Sequence, residues 1–149
     1  MRGVVQRVME AQVKVGPDGV GRIDKGLLVY LGVSQGDSAE DAHYMADKLV
    51  NLRIFADAEG KMNLSVKDVG GQVLLVSQFT LCGDCRKGRR PGFDQAADPG
   101  PAQQLYEQVR DLVASEGIGV QTGRFREHMR VTSTNDGPVT FLLDSRRVF

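Results

Sequence analysis

Two apolar runs constrain this chain more than anything else in it. The first is Val73-Leu74-Leu75-Val76-Ser77-Gln78-Phe79-Thr80-Leu81. The second is Thr134-Asn135-Asp136-Gly137-Pro138-Val139-Thr140-Phe141-Leu142-Leu143-Asp144. An apolar run of this length bounded by glycine reads as a buried strand. Both carry polar residues that a plain core strand would lack, and a buried hydroxyl or amide costs free energy unless it is hydrogen-bonded. In the second run Gly137-Pro138 sets the backbone shape, because proline restricts φ and its peptide bond can be cis or trans. Together the runs imply a small pocket built largely from main chain.

The rest of the chain supplies a frame for them. Residues 2 to 15 alternate imperfectly, with Val4, Val8, Ala11, Val13 and Val15 on or near one face of a long strand, and Gly16-Pro17-Asp18-Gly19 is a turn. Val20 to Ile23 and Gly26 to Val33 continue the sheet, and Leu27-Leu28-Val29-Tyr30-Leu31 reads as fully buried. Ser38 is placed to cap a helix, with Asp41 as the capping-box acid and Ala42, Met45, Ala46 and Leu49 at helical spacing. Leu52 to Phe55 is strand-like, and Asp57-Ala58-Glu59-Gly60 is a turn. A second helix is expected from about Ala102 to Ser115, with Leu105, Val109, Leu112 and Val113 inward. Ile118 to Thr122 and Met129 to Ser133 read as short strands. The order gives an α+β class: a mostly antiparallel sheet curled toward a barrel, with two main helices packed on it.

At 149 residues the chain fits a single domain, residues 1–149, with a real core. Its formal net charge is zero, so a nucleic-acid partner would have to be met by a local patch. The start, Met1-Arg2-Gly3-Val4-Val5, lacks the charged head and apolar stretch of a signal peptide. No apolar stretch approaches the ~20 residues of a membrane-spanning helix, so the expected location is the cytoplasm, with no membrane partner.

Four groups of residues carry potential chemistry. Cys82-Gly83-Asp84-Cys85 is half of a zinc site without its second pair, and no helix opens after it, so it reads as two unpaired thiols in a loop. His43 falls on a helix surface. His128 lies near Arg126 and Arg130, and nothing in the pattern brings either histidine to Ser77, as a Ser-His-Asp triad would need. Residues 82 to 101 form a long loop holding Arg86, Lys87, Arg89 and Arg90. Such a run is usually a solvated surface, but at the rim of a pocket it would bind phosphates. Along an extended strand Gln78 and Thr80 share one face and Ser77 and Phe79 the other. Their hydroxyls and amide can simply satisfy backbone groups. If the strand bends after Val76, its freed N–H groups could form an oxyanion hole.

At this point the residues resemble a family. Ser77-Gln78-Phe79-Thr80-Leu81 with Asn135-Asp136-Gly137-Pro138-Val139-Thr140 is similar to the signature pair of the D-aminoacyl-tRNA deacylases. Gln6-Arg7-Val8, Asn51-Leu52-Arg53-Ile54-Phe55, Lys61-Met62-Asn63-Leu64-Ser65 and Arg86-Lys87-Gly88-Arg89-Arg90-Pro91 fit as well, so the similarity spans essentially the whole chain. The two cysteines are not part of the pattern.

The resemblance implies a homodimeric enzyme that hydrolyses the ester between a D-amino acid and the terminal adenosine of tRNA, without metal or cofactor. It also implies that Gly137 and Pro138, as a Gly-cisPro peptide, enter the other subunit's pocket and reject L-amino acids, steadied by Arg7. Mirror forms carry the same groups, and pockets that read one methyl group gain only ~1–3 kcal/mol, so a stiff wall is the device required. Glycine has no side chain to reject, so glycyl-tRNA mischarged on other tRNAs should be cleaved too. Ser77, Gln78, Phe79 and Thr80 would form the catalytic strand, giving main-chain donors to the ester carbonyl, with Phe79 near the terminal adenine. Thr80 lacks an evident base, and a lone hydroxyl is a weak nucleophile. The resemblance favours help from the ribose hydroxyl of the tRNA. Two other readings stand beside this one: a non-catalytic RNA- or nucleotide-binding module, and a related editing deacylase with a trans Gly-Pro.

Overall fold

A computed structural model describes residues 1–148. Its spine is β1 (Arg2–Val15), which is hydrogen-bonded along both sides. On one side β2 (Asp18–Ile23) and β3 (Gly26–Gly32) run antiparallel to it in succession. On the other side lies β8 (Arg130–Asp144), also antiparallel. Beyond β3 the sheet continues with β6 (Gln72–Ser77) and then β7 (Gly119–Thr122), each parallel to its neighbour. A separate hairpin pairs β4 (Phe55–Ala56) with β5 (Met62–Leu64) around the turn at residues 57–60.

Parallel neighbours require crossovers. Two helices provide them, α1 (Ala39–Asn51) between β3 and β6 and α2 (Pro99–Ser115) between β6 and β7. The cap of α1 is the one its sequence specifies: Asp41 accepts from the Ser38 N–H at 2.8 Å, and Ser38 accepts from the Glu40 N–H. The helices contact each other and cover one face of the sheet. The sheet curls until β2 comes against β7. A Cβ added to Gly21 would lie 2.5 Å from the Thr122 carbonyl oxygen, so only glycine lets the strands approach this closely.

This geometry explains the unbroken apolar runs. Leu27, Val29, Leu31, Val73 and Leu75 pack with Met45, Leu49, Val109 and Val113 of the helices, while Leu28, Leu74 and Val76 join Val8, Val13 and Ile23 inside the curl. β3 and β6 are buried on both faces, so neither shows alternation.

Several boundaries differ from the sequence reading. The sheet is mixed, antiparallel around β1 and parallel across β3, β6 and β7. The first polar-apolar run is not strand throughout: β6 stops at Ser77, and Phe79–Cys82 forms a short 3-10 helix. Gln78 and Thr80 therefore do not share a strand face. The segments at 129–133 and 134–144 are one strand, and it is not the buried strand its apolar run suggests: only Val139 and Asp144 are buried, because β8 lies at the sheet's edge with β1 as its sole strand partner among the described residues. α2 starts at Pro99, because proline suits the first helical position. Tyr106 is buried on α2, whereas Leu105 and Leu112 are only partly buried.

Candidate active site

The bend after β6 creates the site. Gln78 continues the ladder once, donating its N–H to the Leu31 carbonyl at 2.8 Å, and the chain then turns into the 3-10 helix. It folds over the end of β3, where a Cβ at Gly32 would sit 2.8 Å from the Gln78 carbonyl oxygen. A 3-10 helix beginning at Phe79 leaves its first amides, those of Phe79 and Thr80, without acceptors inside the helix.

Next to this bend is a cavity of about 590 Å³. Its apolar lining includes Leu31, Val33, Val76 and Ala102. Ser77, Gln78 and Phe79 of the bend, residues 125–129 and the start of α2 line it as well. Phe79 is 58% exposed and meets Phe93 edge-on, centroids 5.1 Å apart, so two aromatic faces stand at the rim. Below them Tyr106 donates its hydroxyl to the Leu75 carbonyl at 2.7 Å, and burial pushes that hydroxyl's pKa above its ordinary value.

Thr80 is not part of the cavity lining. Its hydroxyl accepts a hydrogen bond from the Gln78 side-chain amide. His128, by contrast, lines the same cavity as Ser77, a placement that no local pattern indicates. Among the described residues no hydrogen bond joins His128 to Ser77. His43 is exposed on α1. Tyr106 shares a helical face with Ala102, Val109 and Val113, a spacing that marks it as buried, whereas His128 reaches the cavity from a loop whose path no local pattern encodes.

Gly137 and Pro138 lie elsewhere, on β8. Gln6 pairs with Thr140 and Val8 with Asn135, so residues 136–139 face Arg7 alone and bow out of the ladder. The Gly137-Pro138 peptide is cis, and both residues are exposed. Arg7 is mostly buried beneath them. Its Nε donates to the Asp136 carbonyl at 2.9 Å and lies 3.2 Å from that residue's carboxylate, while Nη1 donates to the Ile54 carbonyl at 2.6 Å. Neither Gly137 nor Pro138 lines the cavity of its own chain.

The four cations form the tip of a loop whose base is pinched by mutual Asp84 and Gly92 main-chain bonds of 2.7 and 2.9 Å. Arg86 is already engaged, with Nε and Nη2 donating to Asp84 at 2.8 and 2.6 Å, and this pairing holds the Asp84 carboxyl far below the ordinary carboxylate range. Lys87, Arg89 and Arg90 are exposed, and none of the four cations lines the cavity. Cys82 is buried against Ser34, Cys85 is exposed, and both thiols are free.

Comparison with known proteins gives this arrangement its context. A sequence model described as D-Tyr-tRNA(Tyr) deacylase matches residues 4–144. The chain belongs to that family. Among the family's curated deacylases, the D-aminoacyl-tRNA deacylase of Thermotoga petrophila is 56% identical over 149 residues, covering 100% of both chains. That of Anaeromyxobacter dehalogenans is 58% identical over the same span, again covering 100% of both. Membership makes the chain an enzyme, a hydrolase. Among solved structures, the deacylase chain superposes on the c-Myc DNA Unwinding Element Binding Protein with a TM-score of 0.90 at 36% identity, covering 97% of this chain and 98% of that one. A probable eukaryotic D-amino acid tRNA deacylase shares the fold, with a TM-score of 0.79 at 19% identity over 95% and 97% of the two chains. Among the described residues no helix is long and apolar enough to cross a membrane.

Proposed function

We propose that this chain hydrolyses D-aminoacyl-tRNA and mischarged glycyl-tRNA in the cytoplasm as a homodimer, rejecting L-amino acids with Gly137 and Pro138 of the other subunit. The observation that carries the reading is a separation. The cavity beside Ser77, Gln78 and Phe79 lacks a rigid wall from its own Gly137-Pro138, and that pair stands exposed on a bowed strand. A second copy is the natural recipient. β8 pairs with β1 alone among the described residues, leaving an open edge on which Leu142 is 59% exposed. Open edges favour pairing with another chain.

In this reading the terminal adenine rests on the exposed Phe79 face, since base–aromatic stacking tolerates any base. Lys87, Arg89 and Arg90 meet backbone phosphates. The ester carbonyl points at the freed amides of the bend, which stabilise the oxyanion as water attacks the carbonyl carbon. The bond to the ribose oxygen then breaks, and that oxygen takes the proton. Thr80 sits outside the cavity and has no base beside it, so the neighbouring ribose hydroxyl orients the water. A rigid wall blocks the L side chain, while a D side chain points outward and glycine presents nothing to block.

The test is release of free amino acid from D-tyrosyl-, L-tyrosyl- and glycyl-tRNA, by the wild type and by Pro138→Ala. The wild type should cleave the D and glycyl esters and spare the L ester, and Pro138→Ala should erode that selectivity. Binding of tRNA without release of D-tyrosine would favour the binding-module reading instead.

A further inference from the structure

We propose that Asn135 is a positioning residue for chiral selection: it closes the neck of the 136–139 excursion and so fixes where Gly137 and Pro138 stand. The inference rests on the reading that these two residues reject L-amino acids. In the β1–β8 ladder Gln6 faces Thr140 and Val8 faces Asn135, so one residue of β1 spans four of β8. A bulge of that size has no ladder bonds of its own to hold it, and bulges serve to aim what they carry.

Asn135 supplies the missing bonds. Its side-chain amide has two hydrogens and both are used on main chain. Nδ2 donates to the Arg7 carbonyl at 2.9 Å and to the Val139 carbonyl at 3.1 Å. The first acceptor belongs to the residue the excursion spans, and the second is the excursion's own last residue. The neck is tied to β1 and across itself by one side chain.

Two further contacts complete the support. Arg7 holds the near side of the excursion through the Asp136 carbonyl, and the Val139 side chain anchors the far side in the core. The excursion is also tight inside. A Cβ at Gly137 would collide with the Val139 amide nitrogen and lie 3.0 Å from Asn135 Oδ1. No other side chain of this size offers two hydrogens from one nitrogen alongside an acceptor, except the longer glutamine. Aspartate has the same shape and no hydrogen to donate, and would set a carboxylate against two carbonyl oxygens.

The experiment compares full-length wild type, Asn135→Asp, Asn135→Ser, Asn135→Ala and Pro138→Ala. The readout is the ratio of kcat/KM for D-tyrosyl-tRNA to that for L-tyrosyl-tRNA, in single-turnover assays below the melting temperature of each variant. Loss of two main-chain hydrogen bonds should lower the ratio about tenfold or more in Asn135→Asp and Asn135→Ala. Asn135→Ser, which keeps one donor on a shorter arm and perturbs folding least, should also lower it. If Pro138→Ala loses selectivity while every folded Asn135 variant keeps the wild-type ratio, the positioning role is wrong and the wall stands. If Pro138→Ala and the Asn135 variants all keep the ratio, the wall itself lies elsewhere.

Discussion

Replacing Thr80 by alanine separates two mechanisms by several decades of rate. The hydroxyl is exposed, lies outside the cavity lining, and accepts a hydrogen bond from the Gln78 side chain. Deleting it removes one neutral hydrogen bond between surface groups, a loss of ~0.5–1.5 kcal/mol. Even if all of that were felt in the transition state, kcat/KM would fall about 2- to 10-fold. Had Thr80 been the nucleophile, the loss would be ~10⁴-fold or more, as when a catalytic serine is removed. Single-turnover deacylation of D-tyrosyl-tRNA resolves the difference without complication from product release. Retention of at least about a tenth of the wild-type rate is expected. A fall beyond ~10³-fold, with unchanged melting, would refute the main-chain mechanism and return Thr80 to the chemistry.

Two further outcomes concern the surface and the core. Arg89→Glu and Arg90→Glu should each weaken tRNA binding and reduce the slope of log K against log salt by about 1. Arg86→Glu should change it less, because Asp84 already holds that guanidinium. Slopes equal to that of the wild type in all three, measured by filter binding, would show that the loop does not meet the phosphates. In the core, the Asp37 carboxylate is wholly buried, 2.7 Å from the chain's terminal ammonium, and accepts from the Ser34 N–H at 2.6 Å. Asp37→Ala should cost about 3–5 kcal/mol by leaving that ammonium buried without its counter-charge. Urea unfolding would measure it, and a loss under about 1 kcal/mol would mean that water reaches the amine.

The fold was legible wherever a local rule decides it. Ser38 and Asp41 announce the start of α1 three residues apart, and the structure contains that box. Leu27 to Leu31 read as fully buried, and all but the half-buried Tyr30 are, with the helices on one side and the curl's interior on the other. The stretch Val73 to Leu81 misled, because its apolar pattern continues through the point where the backbone leaves the sheet. What ends β6 at Ser77 is the room above Gly32 and the bond from the Gln78 amide to Leu31, both supplied by another strand. The same limit applies to the cavity. Ser77, Gln78 and Phe79 stood out in the sequence, but His128 and Tyr106 enter its lining from elements far along the chain.

Sequence by itself determined that the runs at Leu27–Leu31 and Val73–Val76 belong in the core, where α1 begins, and that Gly137-Pro138 sets the backbone shape of its own strand, since those depend on hydrophobicity, capping and φ restriction within a few residues. Tertiary structure alone decided that the bend after Ser77 faces a cavity, that Arg7 and Asn135 grip the excursion from both ends, and that Gly137 and Pro138 stand away from their own chain's pocket. Those facts depend on the register between β1 and β8 and on how far the sheet curls. Such distances are set by packing across the molecule, and no neighbouring residues encode them.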